Sequence, residues 1–155
     1  MLRAVATLGL ACFMLLGCSD DGDSEGEKPM EMPVDCEGRG EAFVAGQVRT
    51  SEDGLVAVQL TDAEPAPPAQ ADNFWTLQLT DAEQQPALGV SIVAVPYMVD
   101  HQHGTAPQIA TERGDGQYEL GPLALTMSGL WEITLQLTLA DGSETSVVYS
   151  FCAAN

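Results

Sequence analysis

The stretch Leu130-Trp131-Glu132-Ile133-Thr134-Leu135-Gln136-Leu137-Thr138-Leu139 decides the fold. Trp131, Ile133, Leu135, Leu137 and Leu139 alternate with polar residues, the two-residue period of a strand with one face in a core and the other in water. Asp141-Gly142 follows as a hairpin turn, its glycine able to take positive φ, and Val147, Tyr149 and Phe151 continue the pairing beyond it. Upstream, from residue 40, short alternating segments are punctuated by turn residues, with no sustained helical period. Strands are expected at 41–49, 55–61, 74–80, 88–96, 116–120, 122–126, 130–140 and 144–152. Segment 63–73 holds Pro65, Pro67 and Pro68, which forbid a continuous hydrogen-bond ladder, and is expected to be a loop. The expected fold is all-β, an immunoglobulin-like β-sandwich of about seven to eight strands. The Cys-Trp-Cys pattern of antibody domains is absent, so the likeness is one of architecture.

Charge narrows the function classes. The 155 residues carry 5 Lys and Arg against 23 Asp and Glu, a formal net charge of −18. A phosphate backbone is bound by neutralising it with cations, so nucleic acid is excluded as a partner. Hydrophobic residues at 45% are enough to build a core, which excludes wholesale disorder.

The N-terminus reads as a targeting segment. Arg3 supplies a positive start, and Ala4 to Leu16 form an apolar run too short to span a bilayer stably. Residues 1–17 are therefore expected to be a signal peptide. It ends in Leu15-Leu16-Gly17-Cys18, which resembles the bacterial lipobox, so Cys18 is the expected lipidation site and the first residue of the mature chain. Each buried lipid methylene contributes about 0.8 kcal/mol, so several chains on one cysteine anchor firmly. Cleavage removes Arg3 and leaves a net charge of −19. Residues 18–35 mix acids, Gly, Pro and Ser, the composition of a solvated tether, and 36–155 remain for the domain. The expected location is the bacterial envelope, lipid-anchored, facing the periplasm or in the outer membrane.

With Cys12 in the signal peptide and Cys18 lipidated, Cys36 and Cys152 remain at the two ends of the domain. In an oxidising compartment they are expected to pair as a disulfide; the alternative, metal ligation, has no Cys or His at close spacing to either.

Both histidines lie within Pro96-Tyr97-Met98-Val99-Asp100-His101-Gln102-His103-Gly104. In an extended segment His101 and His103 point the same way with Cα atoms about 6–7 Å apart, close enough to share one ion. Met98, at an odd offset, joins them only if the chain bends, which Pro96 and Gly104 favour. Thioether and imidazole together suit copper, above all Cu(I), whereas calcium and magnesium take carboxylates. The competing reading is a solvated surface loop, with Met98 filling a gap in the core.

That loop, with Gly114-Asp115-Gly116-Gln117-Tyr118 and Met127-Ser128-Gly129-Leu130-Trp131, resembles the YtkA-like domain, which is related to FixH-like proteins. The resemblance implies a β-sandwich on a lipid or membrane anchor and a link to copper handling. It makes Met98, His101, His103 and Met127 candidate metal ligands. Met127 also continues the alternation of Leu123 and Leu125, which is a reason for it to be buried, and Trp131 reads as core. Gly114-Asp115-Gly116 reads as a tight turn, not a calcium loop.

The expected function is an envelope lipoprotein that buffers copper or delivers it to a protein acceptor. The alternative is a metal-free, immunoglobulin-like interaction module on a tether. No Gly-X-Ser-X-Gly elbow is present and no cysteine is left to act as a nucleophile, so an enzyme is not expected.

Overall fold

The computed structural model describes residues 36 and 38–154. The signal peptide (1–17), the tether (18–35) and Cys18 lie outside the described residues. The described chain is all-β, with strands Gln47–Thr50 (β1), Val56–Glu64 (β2), Asp72–Asp81 (β3), Ser91–Met98 (β4), His103–Gly104 (β5), Gln108–Ile109 (β6), Thr111–Gly114 (β7), Gln117–Ala124 (β8), Gly129–Thr138 (β9) and Glu144–Ala153 (β10). They form two antiparallel sheets, ordered β1-β2-β3-β8-β7 and β10-β9-β4-β5, with β6 also on β4. This is the expected β-sandwich; eight strands have four residues or more, and β5 and β6 have two each.

β9 has the predicted alternation. Trp131, Ile133, Leu135 and Leu137 are buried, while Glu132, Gln136 and Thr138 are exposed. β9 pairs with β4 from Ser91↔Thr138 to Met98↔Trp131, and with β10 from Glu144↔Thr138 to Ala153↔Gly129. Trp75 of the opposing sheet meets Tyr149 and Phe151 edge-on, each pair with centroids 5.7 Å apart. Such pairs add about 0.5–1.5 kcal/mol to the burial they accompany.

Several strand boundaries differ from expectation for identifiable reasons. The segment 41–49 is a strand only from Gln47, because Gly46 sits at φ +85° in a turn whose N–H donates to Leu60. Segments 116–120 and 122–126 form one strand, β8. Its register against β3 shifts between Asn73 and Trp75, and the irregularity accommodates Gly121-Pro122. β4 continues past Pro96 to Met98: the Pro96 carbonyl accepts the Thr105 N–H at 3.3 Å, so the missing proline N–H also faces that edge and not β9.

Cys36 and Cys152 are joined in a disulfide, their Cα atoms 6.0 Å apart across 116 positions of sequence. The bridge pins the start of the described chain to the end of β10, next to Leu130 of β9.

Candidate metal centre

The strand extension to Met98 builds the site. The chain turns through Val99-Asp100-His101-Gln102 and returns as β5, placing His103 directly opposite Met98. Gln102 takes positive φ (53°) in that turn, and the Val99 N–H reaches the Leu130 carbonyl at 3.2 Å. Gly104 is required by space, since a Cβ there would lie 2.5 Å from the Pro96 carbonyl oxygen. His101 and His103 do not share one extended strand: His101 is in the turn and His103 is on β5. Their rings nevertheless lie 5.9 Å apart, steeply inclined at 68°. The turn brings His103 back opposite Met98 on the neighbouring strand.

One row crosses three strands here: His103 on β5, Met98 on β4 and Trp131 on β9. Directly opposite residues in a sheet share a face, so all three belong to the core-facing side. His103 is exposed at the sheet edge with its ring edge-on to Trp131 at 6.2 Å, whereas Met98 and Trp131 are buried. Met98 therefore occupies the position of a core side chain, across the strand pair from His103. Its Cε packs so closely on Gly129 that a Cβ there would meet it at 2.5 Å. Met127 lies in the turn between β8 and β9 and is 37% exposed, which departs from the buried alternation of Leu123 and Leu125. The Trp131 indole N–H donates to the Met127 carbonyl at 2.8 Å, tying that turn to the tryptophan that faces His103.

Asp100 is gripped from outside the turn. Arg39 donates to its two oxygens at 2.7 and 3.0 Å. This hydrogen bond holds the Asp100 carboxyl below the ordinary carboxylate value against the opposing effect of desolvation, with smaller help from the charges of Arg39 and His101.

The candidate donors at this end of the sandwich are the neighbouring imidazoles of His101 and His103, the buried Met98 opposite His103, and Met127 on the turn before β9. Among the described residues no three His, Cys, Asp or Glu side chains assemble into a metal cage. The donor set present is of the kind that soft Cu(I) takes. Two participants escaped sequence reasoning. Trp131 read only as core, because alternation reports burial and not the neighbours of the buried ring. Arg39 lies 61 positions from Asp100, and nothing local signals that pairing.

Among curated proteins, none matches this chain in sequence. Among solved structures, FetP of uropathogenic E. coli is similar at 13% identity and a TM-score of 0.45, the match covering 73% of this chain and 97% of FetP. The family model described as YtkA-like matches residues 50–136. That span runs from the end of β1 through most of β9 and includes Met98, His101, His103, Met127 and Trp131. With more than half its length matched, the chain belongs to the YtkA-like family.

Proposed function

We propose that this YtkA-like domain is carried on a lipid-anchored envelope protein and binds Cu(I) for buffering or delivery to a protein acceptor, without catalysing a reaction. The observation that carries the reading is the β4–β5 register: His103 stands opposite Met98 with His101 5.9 Å from it, beside the turn that bears Met127. Imidazole and thioether ligands match a soft monovalent ion, and thioethers keep their donor character in an oxidising, moderately acidic envelope because they have no proton to lose. Met127, exposed on its turn, is the thioether open to an arriving ion, whereas Met98 is buried on β4. Copper bound here would lie next to Trp131, whose ring already meets His103.

An anaerobic Cu(I) competition titration tests this, with Cu(II) and Zn(II) run alongside. The expected result is one tight equivalent of Cu(I), accompanied by a change in tryptophan fluorescence and lost in His101→Ala/His103→Ala. If the double variant competes as well as wild type, the site is misplaced. If wild type binds no Cu(I), the domain is better read as a tethered interaction module. The anchor has its own test: Cys18→Ala is expected to move the protein from the membrane to the soluble envelope fraction, and an unchanged membrane fraction would refute lipidation at that cysteine.

A further inference from the structure

We propose that Arg39 is a positioning residue for the His101/His103 turn, and that the Cys36–Cys152 disulfide holds Arg39 in place to act. The inference rests on the copper reading for its functional meaning, but its structural basis is separate. Gly38, just before Arg39, takes positive φ (72°). The Cys36 carbonyl accepts both the Arg39 backbone N–H at 2.8 Å and its Nε–H at 3.1 Å. With Nε fixed, the two terminal nitrogens of the guanidinium point together at Asp100, each taking one carboxylate oxygen. This planar fork is a geometry that lysine cannot reproduce.

The short segment carrying Arg39 is fixed on both sides. On one side Cys36 is bonded to Cys152 of β10. On the other, the Glu41 N–H donates to the Ser150 carbonyl at 2.7 Å, and Glu41 forms a parallel bridge with Phe151. Between them Gly40 passes so close to the sheet that a Cβ would lie 3.0 Å from the Leu130 Cδ1 and 3.2 Å from the Cys152 nitrogen. The same Leu130 accepts the Val99 N–H at the base of the turn. A continuous path therefore runs from the disulfide through the Arg39 fork to Asp100, the residue preceding His101. Otherwise the turn is a four-residue excursion at a sheet edge, whose short partner β5 is only two residues long. Such an element opens readily unless something outside the hairpin holds it.

The pair is more than a third exposed on each side, so breaking it is expected to cost roughly fivefold or less in an equilibrium constant. The experiment uses the full chain and two readouts. The first, without metal, is amide hydrogen exchange at Val99 and Thr105, with the β2–β3 ladder as internal control. Arg39→Ala and Asp100→Asn are each expected to speed exchange at these two amides by about two- to fivefold while leaving β2–β3 unchanged. The double variant should be no faster than either single one, because both remove the same link. In Cys36→Ser/Cys152→Ser the turn should exchange at least as fast, and adding Arg39→Ala should then change little. Should that cysteine variant fail to fold, Arg39→Ala, Asp100→Asn and their combination decide the matter alone.

The second readout is Cu(I) affinity, expected to fall by the same two- to fivefold in each single variant without further loss in the double. Unaltered exchange at Val99 and Thr105 in Arg39→Ala would overturn the proposal, as would effects of the two single variants that simply add. Failure of wild type to bind Cu(I) would instead sink the copper reading, with the exchange data still deciding whether Arg39 positions the turn.

Discussion

The Tyr149 hydroxyl donates to the Val58 carbonyl at 2.8 Å, crossing from one sheet to the other inside the sandwich. The ring is fully buried, and Arg49, ion-paired with Glu41, lies over it at 5.8 Å. Burial is the main cause raising the phenol above its ordinary value, with Glu41 adding and the Arg49 charge opposing. Tyr118 is raised in the same direction, again chiefly by burial; its hydroxyl accepts the Val90 N–H and donates to the Ala87 carbonyl. A phenol raised on folding favours the neutral form in the native state, so its contribution is fully present below the unfolded value of about 10 and is lost as pH climbs toward the folded one. Stability should therefore be flat from about pH 7 to 9 and fall above about pH 10. Urea midpoints measured across that range check this, and Tyr149→Phe should lose about 0.5–1.5 kcal/mol at neutral pH while flattening the alkaline limb. An equally steep limb in Tyr149→Phe/Tyr118→Phe would show that other groups cause it. In the sequence both tyrosines are visible as apolar positions of alternating strands. Their hydroxyl partners lie 91 and 31 positions away, and no local pattern encodes those pairings.

The β4–β5 hairpin is the element on which the candidate site depends. Strong alternation made the long strands legible, because each buries one face and leaves the other in water. Two-residue strands such as β5 and β6 contain no period to detect, so the segment around the histidines read as a loop. The Pro-rich loop was legible from its prolines, but not the device that holds it. Asn73 is fully buried and donates to the carbonyls of Ala69 and Ala71 while accepting from the Ala69 N–H. In the candidate site, the donor types were legible and the cross-strand register was not. His101, His103 and Met98 announce a donor set by type and spacing, whereas the cross-strand register of Met98 with His103 and Trp131 exists only once three strands are paired. Gly104 offers a test confined to this element. In Gly104→Ala the new Cβ would meet the Pro96 carbonyl oxygen, so β5 must move away from β4 while the main sandwich, which does not include that contact, persists. The expected outcome is accelerated amide exchange from Met98 to Thr105 with the β9–β10 ladder still protected, and a Cu(I) affinity at least tenfold lower. A crystal structure of Gly104→Ala retaining the Met98–His103 pairing would contradict the steric account.

Across the whole molecule, the three arginines of the described residues are all ion-paired with carboxylates: Arg39 with Asp100, Arg49 with Glu41 and Arg113 with Glu119. On a chain of net charge −18 these few pairs leave the long-range field negative, which repels polyanions and favours the approach of cations. That field also works against compactness, and the fold offsets it with its core and one covalent closure. The Cys36–Cys152 bridge closes a loop spanning 116 positions, which in the chain-entropy model removes about 4–5 kcal/mol of unfolded-state freedom. A small domain is stable by only about 5–15 kcal/mol in total, so the bridge accounts for a large share. Cys36→Ser/Cys152→Ser should therefore melt about 10–20 °C below wild type at the same pH and salt. Because the stabilisation acts mainly on the unfolded chain, the native β9–β10 ladder should remain intact in the variant below its transition. The Arg39 turn at the end of the sandwich, held in place by the bridge, should loosen first. A melting point within about 2 °C of wild type would mean that the unfolded chain already keeps its ends together without the bridge, and that the entropic account does not apply to this domain.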